Sequence, residues 1–214
     1  MSHEKYICGV CKIHACRTGN KEKMPRNCPC LDEQSSNEIK KMYVDEELFL
    51  AQKAALVESG GYCQKTRVEE IMDFARKCGF KNLGVAFCTG FTNEMAILHK
   101  ILTANGFTVN SVICKNCSMP KTEVLGISEH EKVRPGTYEA MCNPIGQAVF
   151  LNKAKTDLNL MLGLCVGHDT LFMKHSQAPV TVLAVKDRVL GHNPMAALYL
   201  AEGYYKKKLF PDEK

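Results

Sequence analysis

Apolar positions along the chain follow two periods, and the change from one to the other predicts the architecture. Ile39, Met42, Tyr43, Leu48, Leu50, Ala54 and Leu56 form a broken helical stripe over residues 36–59. Ser35 with Glu38 reads as a capping box in front of it, and Gly60-Gly61 as its stop. A second stripe, Ile71, Met72, Phe74 and Ala75, predicts a helix over 67–78, opened by Thr66 with Glu69 and closed by Gly79. From residue 82 the apolar residues come in short unbroken runs. Asn82–Cys88, Phe107–Cys114, Leu158–Cys165 and Val180–Lys186 have the length and content of strands buried on both faces. Helices are predicted between them over 92–105, 144–155 and 168–175, and a last one over 194–207. Residues 115–143, with Pro120, Gly126, Pro135 and Gly136, read as a long irregular connection, the kind that is usually functional or disordered.

Strands alternating with helices give the fold class. It is α/β, a mainly parallel, doubly wound (Rossmann-like) sheet. The first 34 residues break this pattern. They have no apolar periodicity and cannot bury enough surface to fold alone. The predicted organisation is therefore a cysteine-rich, metal-binding segment over 1–34 and an α/β domain over 35–214.

Composition narrows the function. Of 214 residues, 45% are hydrophobic, enough for a core. The formal charge of +5 is too small to argue for a nucleic-acid partner. No run of about 18 apolar residues predicts a membrane span, and Met1–Ala15 lacks the apolar core of a signal peptide. A cytoplasmic, reducing setting is the expectation, and there the 12 cysteines are ligands or catalytic thiols more often than disulfides. Cys63 and Cys78 are expected to be ordinary core thiols.

The remaining ten cysteines form two groups. Cys8, Cys11, Cys16, Cys28 and Cys30 follow a C-x2-C-x4-C-x11-C-x-C spacing. Four soft ligands in a small volume suit zinc or an iron–sulfur cluster, with Cys28 or Cys30 as the spare. In the second group, Cys88, Cys114 and Cys165 each close a predicted strand, Cys117 follows Cys114 in C-K-N-C, and Cys142 precedes a helix. Ligand sites of open α/β sheets lie at the carboxyl ends of strands, so these five are candidates for a second metal or redox centre. His168, beside Cys165, joins Cys165 and Cys88 as a candidate catalytic group. Asp169, His175, Lys186, Asp187, Arg188 and His192 are weaker candidates for acid–base or anion-binding roles. Asn93 and Glu94 open a helix, but no phosphate-binding glycine motif accompanies them.

The strings CGVCKIHAC, NCPC, FCTGFTNE, CKNCSMPK, MCNPIGQAVFLN, TDLNLMLGLCVGHDTLFMKHS and APVTVLAVKDRVLGHNP, spread over nearly the whole chain, resemble a prokaryotic family of uncharacterised, cysteine-rich proteins described as predicted metal-binding. The resemblance implies a bound metal ion without a known reaction. Three functions are expected to compete. The first is a metal or iron–sulfur protein working with a small-molecule or redox partner. The second is a thiol–disulfide relay through Cys114 and Cys117. The third is a non-enzymatic metal carrier or interaction module.

Overall fold

The computed structural model describes residues 6–210, and its contacts divide the chain into two units, Met1–Gly60 and Gly61–Lys214. The first unit opens with four single 3-10 turns, Cys8–Val10, Ala15–Arg17, Lys21–Lys23 and Pro29–Leu31. Two helices follow, α1 (Glu33–Met42) and α2 (Asp45–Gly61), where one was expected. Charge explains the break. Lys40 and Lys41 end α1 and Asp45, Glu46 and Glu47 begin α2, so each helix end carries the charge its dipole favours. The cap of α1 is Asp32, not Ser35. Asp32 Oδ1 accepts the Ser35 N–H at 2.9 Å, and a carboxylate is the stronger acceptor.

The second unit is an α/β fold around a four-stranded, all-parallel sheet. Its strands are β1 (Asn82–Phe87), β2 (Thr108–Ile113), β3 (Leu158–Leu164) and β4 (Val180–Val185), in the order β2-β1-β3-β4. Helix α3 (Arg67–Cys78) begins at the Thr66–Glu69 capping box and ends on left-handed Gly79. Helices α4 (Thr92–Ala104), α6 (Pro144–Lys153) and α7 (His168–His175) lie between strands, with the short α5 (Lys121–Leu125) inside the long connection. The helix expected over 194–207 is two fragments, α8 (Met195–Tyr199) and α9 (Lys206–Leu209). Gly203 and two tyrosines interrupt it, and Leu198, Tyr199 and Tyr204 remain exposed, so no packed face repays the weak helix propensity. Among the described residues no helix is long and apolar enough to cross a membrane.

Both sheet faces are covered. Leu83, Val85 and Phe87 of β1 and Leu158, Leu160 and Leu162 of β3 pack with α3 and α4. Ala86, Met161 and Leu164 pack with Ala148 and Leu151 of α6 and Phe172 of α7. The alternation in β3 slips by one between Leu162 and Leu164, where the pairing with β4 is irregular. Gly163 sits there with φ +68°, and a Cβ on it would lie 1.9 Å from the Phe91 ring. This bulge lets Phe91 press against the sheet and shifts the strand's parity just before Cys165. At the opposite edge, Asp157 accepts N–H bonds from Lys81 and Asn82, each at 2.8 Å, and fixes the start of β1. The order β2-β1-β3-β4 places the reversal of strand progression between β1 and β3, so the crevice of such sheets opens beyond Phe87 and Leu164.

Gly163→Ala is expected to destabilise the protein by roughly 2 kcal/mol or more, because it adds a steric clash to a left-handed backbone. Gly126→Ala, also left-handed but facing open space, is expected to cost only about 1–2 kcal/mol. Urea unfolding of both variants checks this, and equal losses would remove the bulge from the account.

Candidate functional site

The carboxyl edge of the sheet is built from sulfur. Cys88 continues β1, its N–H bonding Leu162 O at 3.1 Å, and Cys114 continues β2, its N–H bonding Phe87 O at 2.8 Å. The register pairs Phe87 with Ile113, so the next residues of the two strands, Cys88 and Cys114, are neighbours. Cys142 arrives from the long connection. Asn143 N–H donates to Cys114 O at 2.7 Å, and Asn116 Nδ2 bonds the carbonyls of Ile113 and Asn143, each at 2.9 Å. Asn143 Nδ2 returns to Asn116 Oδ1 at 3.1 Å, while Asn143 Oδ1 caps α6 through the Gly146 N–H. Two asparagines thus tie the loop after β2 to the start of α6. Beneath them Gln147, fully buried, donates Nε2 to Phe87 O at 3.1 Å and to Val112 O at 2.7 Å. Those carbonyls belong to the last turns of β1 and β2, so α6 holds both strand ends.

Three thiols therefore act on one another in a row, with buried Cys114 in the middle. The row polarises itself. The Cys114 pKa is raised well above the thiol range by its bonds to Cys142 and Cys88, with burial adding to the effect. Cys88 is lowered to about 5, first by the hydrogen bond from Cys114, then by the Gly90 N–H and Lys186. Cys142 is lowered to about 3, first by Cys114, then by a hydrogen bond from His168 and the nearby Lys115 charge. The central thiol thus favours its protonated form, while its two neighbours favour the thiolate. Cys114 Sγ also accepts the Thr89 N–H at 3.3 Å.

Cations ring the row. Lys186 Nζ lies 4.3 Å from the Phe91 ring centroid, and a Cβ at Gly90 would come 2.9 Å from it. Arg188 Nη2 donates to Cys165 Sγ at 3.1 Å, and the Cys165, Cys88 and Cys142 sulfurs together raise the Arg188 pKa. Cys165 therefore joins the group through a guanidinium. Asp187 and His192, weak candidates from sequence, hold the turn that presents Arg188. Asp187 Oδ1 accepts the Val189 and Leu190 N–H groups, and His192 Nδ1 accepts the Asp187 N–H. Asp169 bonds the N–H of its neighbour Thr170, and His175 ends α7. Asn93 and Glu94 are exposed on the first turn of α4.

Cys117 is not drawn into the row. It is exposed, in a left-handed backbone, with its thiol 3.6 Å from Asn116 Oδ1. Cys63 is exposed on a turn and Cys78 half-buried at the end of α3, so the expectation of a core thiol fails for Cys63. The turn after Gly61 brings Cys63 into a left-handed conformation instead of a packed helix. Lys115, Asn116, Asn143 and Gln147 were missed as site residues. Lys115, Asn116 and Gln147 each reach a backbone carbonyl distant in sequence, which no local pattern encodes, and Asn143, a local helix cap, bonds the Asn116 side chain.

In the first unit, Cys30 is raised by a hydrogen bond with Cys28 and by burial, and feels the Cys16 and Cys8 charges. Cys11 is lowered by N–H bonds from His14 and Ile13 to its sulfur, His14 being left-handed. This is the donor pattern that suits a thiolate at a tight cysteine turn. Among the described residues no three or more His, Cys, Asp or Glu side chains already converge on a point that could hold a metal ion.

A family described as "Protein of unknown function (DUF1847)" matches residues 28–183. The uncharacterized protein MJ0455 of Methanocaldococcus jannaschii is 43% identical over 202 residues, covering 94% of this chain and 97% of its own length. No solved structure matches the chain.

The thiol row makes a pH prediction. A group whose folded pKa is depressed loses its charge, and the stability that charge brings, as pH falls toward the folded value. For Cys88 that window runs downward from the ordinary thiol value of about 8.5 toward about 5. In reduced, metal-free protein, thiolate absorbance near 240 nm is expected to persist below pH 7 and to drop in Cys88→Ser. Absorbance that vanishes by pH 7 in the parent protein would contradict the charge pattern.

Proposed function

The chain belongs to the DUF1847 family, and we propose that it works through a zinc or iron–sulfur centre held by Cys88, Cys114, Cys142 and Cys165. One observation carries this reading. Cys88 and Cys114 follow paired residues at the ends of β1 and β2, the Asn143 N–H ties the Cys142 segment to Cys114 O, and the three thiols act on one another at the crevice of a parallel sheet. The donor set fits the group. Every donor is soft, no carboxylate lies among the groups acting on Cys114, and Lys115, Lys186 and Arg188 offset the negative charge that four thiolates leave around a divalent metal. The side chains do not yet converge on one point, so binding requires cysteine rotamers to turn inward.

When bound, such a centre supplies Lewis-acid or electron-transfer chemistry. The chain's own residues do the rest. Cys114 gives up its proton, His168 stands beside Cys142 to take or return one, and Arg188 holds the Cys165 sulfur by a hydrogen bond. The first unit supports a second, structural site among Cys8, Cys11, Cys16, Cys28 and Cys30, where Cys28, Cys16 and Cys8 act on Cys30. A cytoplasmic setting would keep both groups of thiols reduced.

A second reading is favoured by the contrast between Cys88 and Cys114. A depressed thiolate beside a protonated thiol is the arrangement of a thiol–disulfide exchanger. The pair would be Cys88 and Cys114, not the Cys114 and Cys117 pair expected from spacing. Their oxidation forms one S–S bond and passes two electrons to a disulfide acceptor, which becomes two thiols by taking the Cys114 proton and one from solvent.

Anaerobic purification with metal and sulfide analysis separates these readings. Cys88→Ala and Cys165→Ala are each expected to lose the metal of the sheet-edge centre, about one zinc or one cluster per chain, while metal at the first unit persists. Full metal content in both variants overturns the centre. A metal-free parent protein whose count of free thiols rises by two on reduction supports the exchanger instead.

A further inference from the structure

A cavity of about 620 Å³ opens beside the cysteine row, lined in part by Thr89, Lys115, Arg134, Tyr138, Glu139 and Arg188. That volume suits a small metabolite. Its walls are joined to the sulfur centre by the chain itself. Thr89 follows Cys88, Lys115 follows Cys114, and Arg188 bonds Cys165. A molecule in the cavity would rest on residues that adjoin or bond the cysteines.

The charges on the wall do not balance. Glu139 is the acidic member, and it is already committed. Its Oε1 accepts Lys121 Nζ at 2.8 Å, and its Oε2 accepts the backbone N–H groups of Val133 and Arg134 at 3.0 and 3.3 Å. Lys115, Arg134 and Arg188 face it as three cations. Lys115 spends one donor on Ala140 O, and Arg188 one on Cys165. Among the described residues the Arg134 guanidinium has no hydrogen-bond or ion-pair partner. Its loop is nonetheless built. Ser128 and Glu131 form a capping box, Glu129 accepts the Gly136 N–H and Lys132 Nζ, and Tyr138 OH bonds Ser118 O. A loop this well fixed holds the Arg134 backbone in place before any ligand arrives, which lowers the entropy cost of binding. A guanidinium fork matches the oxygen pairs of carboxylates and phosphates.

We infer that this cavity binds a small oxyanion-bearing molecule, carboxylate or phosphate, with Arg134, Arg188 and Lys115 holding its charged end and its remainder turned to the cysteine row. Its role as a substrate site rests on the cysteine row being the working centre. The binding itself does not.

Calorimetric titration with inorganic phosphate and with succinate, and with glycerol as the uncharged control, tests the assignment on the full chain. Saturable binding of at least one anion and none of glycerol is expected, and the tighter of the two identifies the oxyanion class. Arg134→Ala is expected to weaken that binding about tenfold or more, since a charged hydrogen bond is lost, with metal content unchanged. Arg134→Lys falls between them, keeping the charge without the fork. Binding that survives in Cys88→Ala supports the cavity even where metal analysis has overturned the sulfur centre. Failure of both anions to bind, or equal binding by Arg134→Ala and the parent, overturns the inference. Loss in Cys88→Ala with retention in Arg134→Ala also overturns it, because the anion would then sit on the sulfur centre.

Discussion

Three thiols act on one another at the carboxyl edge of the sheet, and they cannot all be charged there without a cation. Two like charges about 4 Å apart repel by roughly 4 kcal/mol at an effective dielectric of 20. The protein answers this crowding in two ways. Cys114, the most buried member of the row, keeps its proton, while Lys186, Lys115, His168 and Arg188 act on the thiolates and their sulfur neighbours. A thiophilic metal would satisfy the same demand, taking the place of the Cys114 proton and drawing the sulfurs together. The proposed functions of the centre are alternative solutions to one electrostatic problem.

The fold creates the crowding deliberately, in the sense that several separate devices serve it. Parallel pairing in register makes residues 88 and 114 neighbours as soon as β1 and β2 are zipped. The Asn116–Asn143 pair adds Cys142 from a segment that is otherwise irregular. Gln147 donates from α6 to the carbonyls of both strands, so the helix cannot shift without disturbing the row. The Gly163 bulge admits Phe91, and Lys186 and His192 stack around that ring. The site is thus supported by rigid elements on the β1 and β3 side and by hydrogen-bonded loops on the other.

Much of this was legible in the sequence. The short apolar runs located all four strands, because a strand buried on both faces has no polar alternation to confuse with a helix. The strand ends alone place Cys88, Cys114 and Cys165 at one edge. Helix breaks were less legible. The α1–α2 junction depends on end charges, and the last helix fails for lack of a covering partner, which is a tertiary fact. The exclusion of Cys117 was invisible too, since C-x2-C spacing says nothing about which way a left-handed residue points its thiol. Lys115, Asn116 and Gln147 act on groups about 25 to 60 residues away, and Arg134 matters only through the cavity it lines.

Cysteine-by-cysteine accessibility, read by mass spectrometry, probes the central claim at the atoms concerned. Anaerobically isolated protein is alkylated in its native state, before and after chelation, and then unfolded and given a second label. If the row holds a metal, half-buried Cys142 resists the first label until the chelator is added and then accepts it, with Cys88 and Cys114 following in part, while exposed Cys63 and Cys117 label equally in both states. Identical labelling of Cys142 with and without chelation would contradict a metal held by the row.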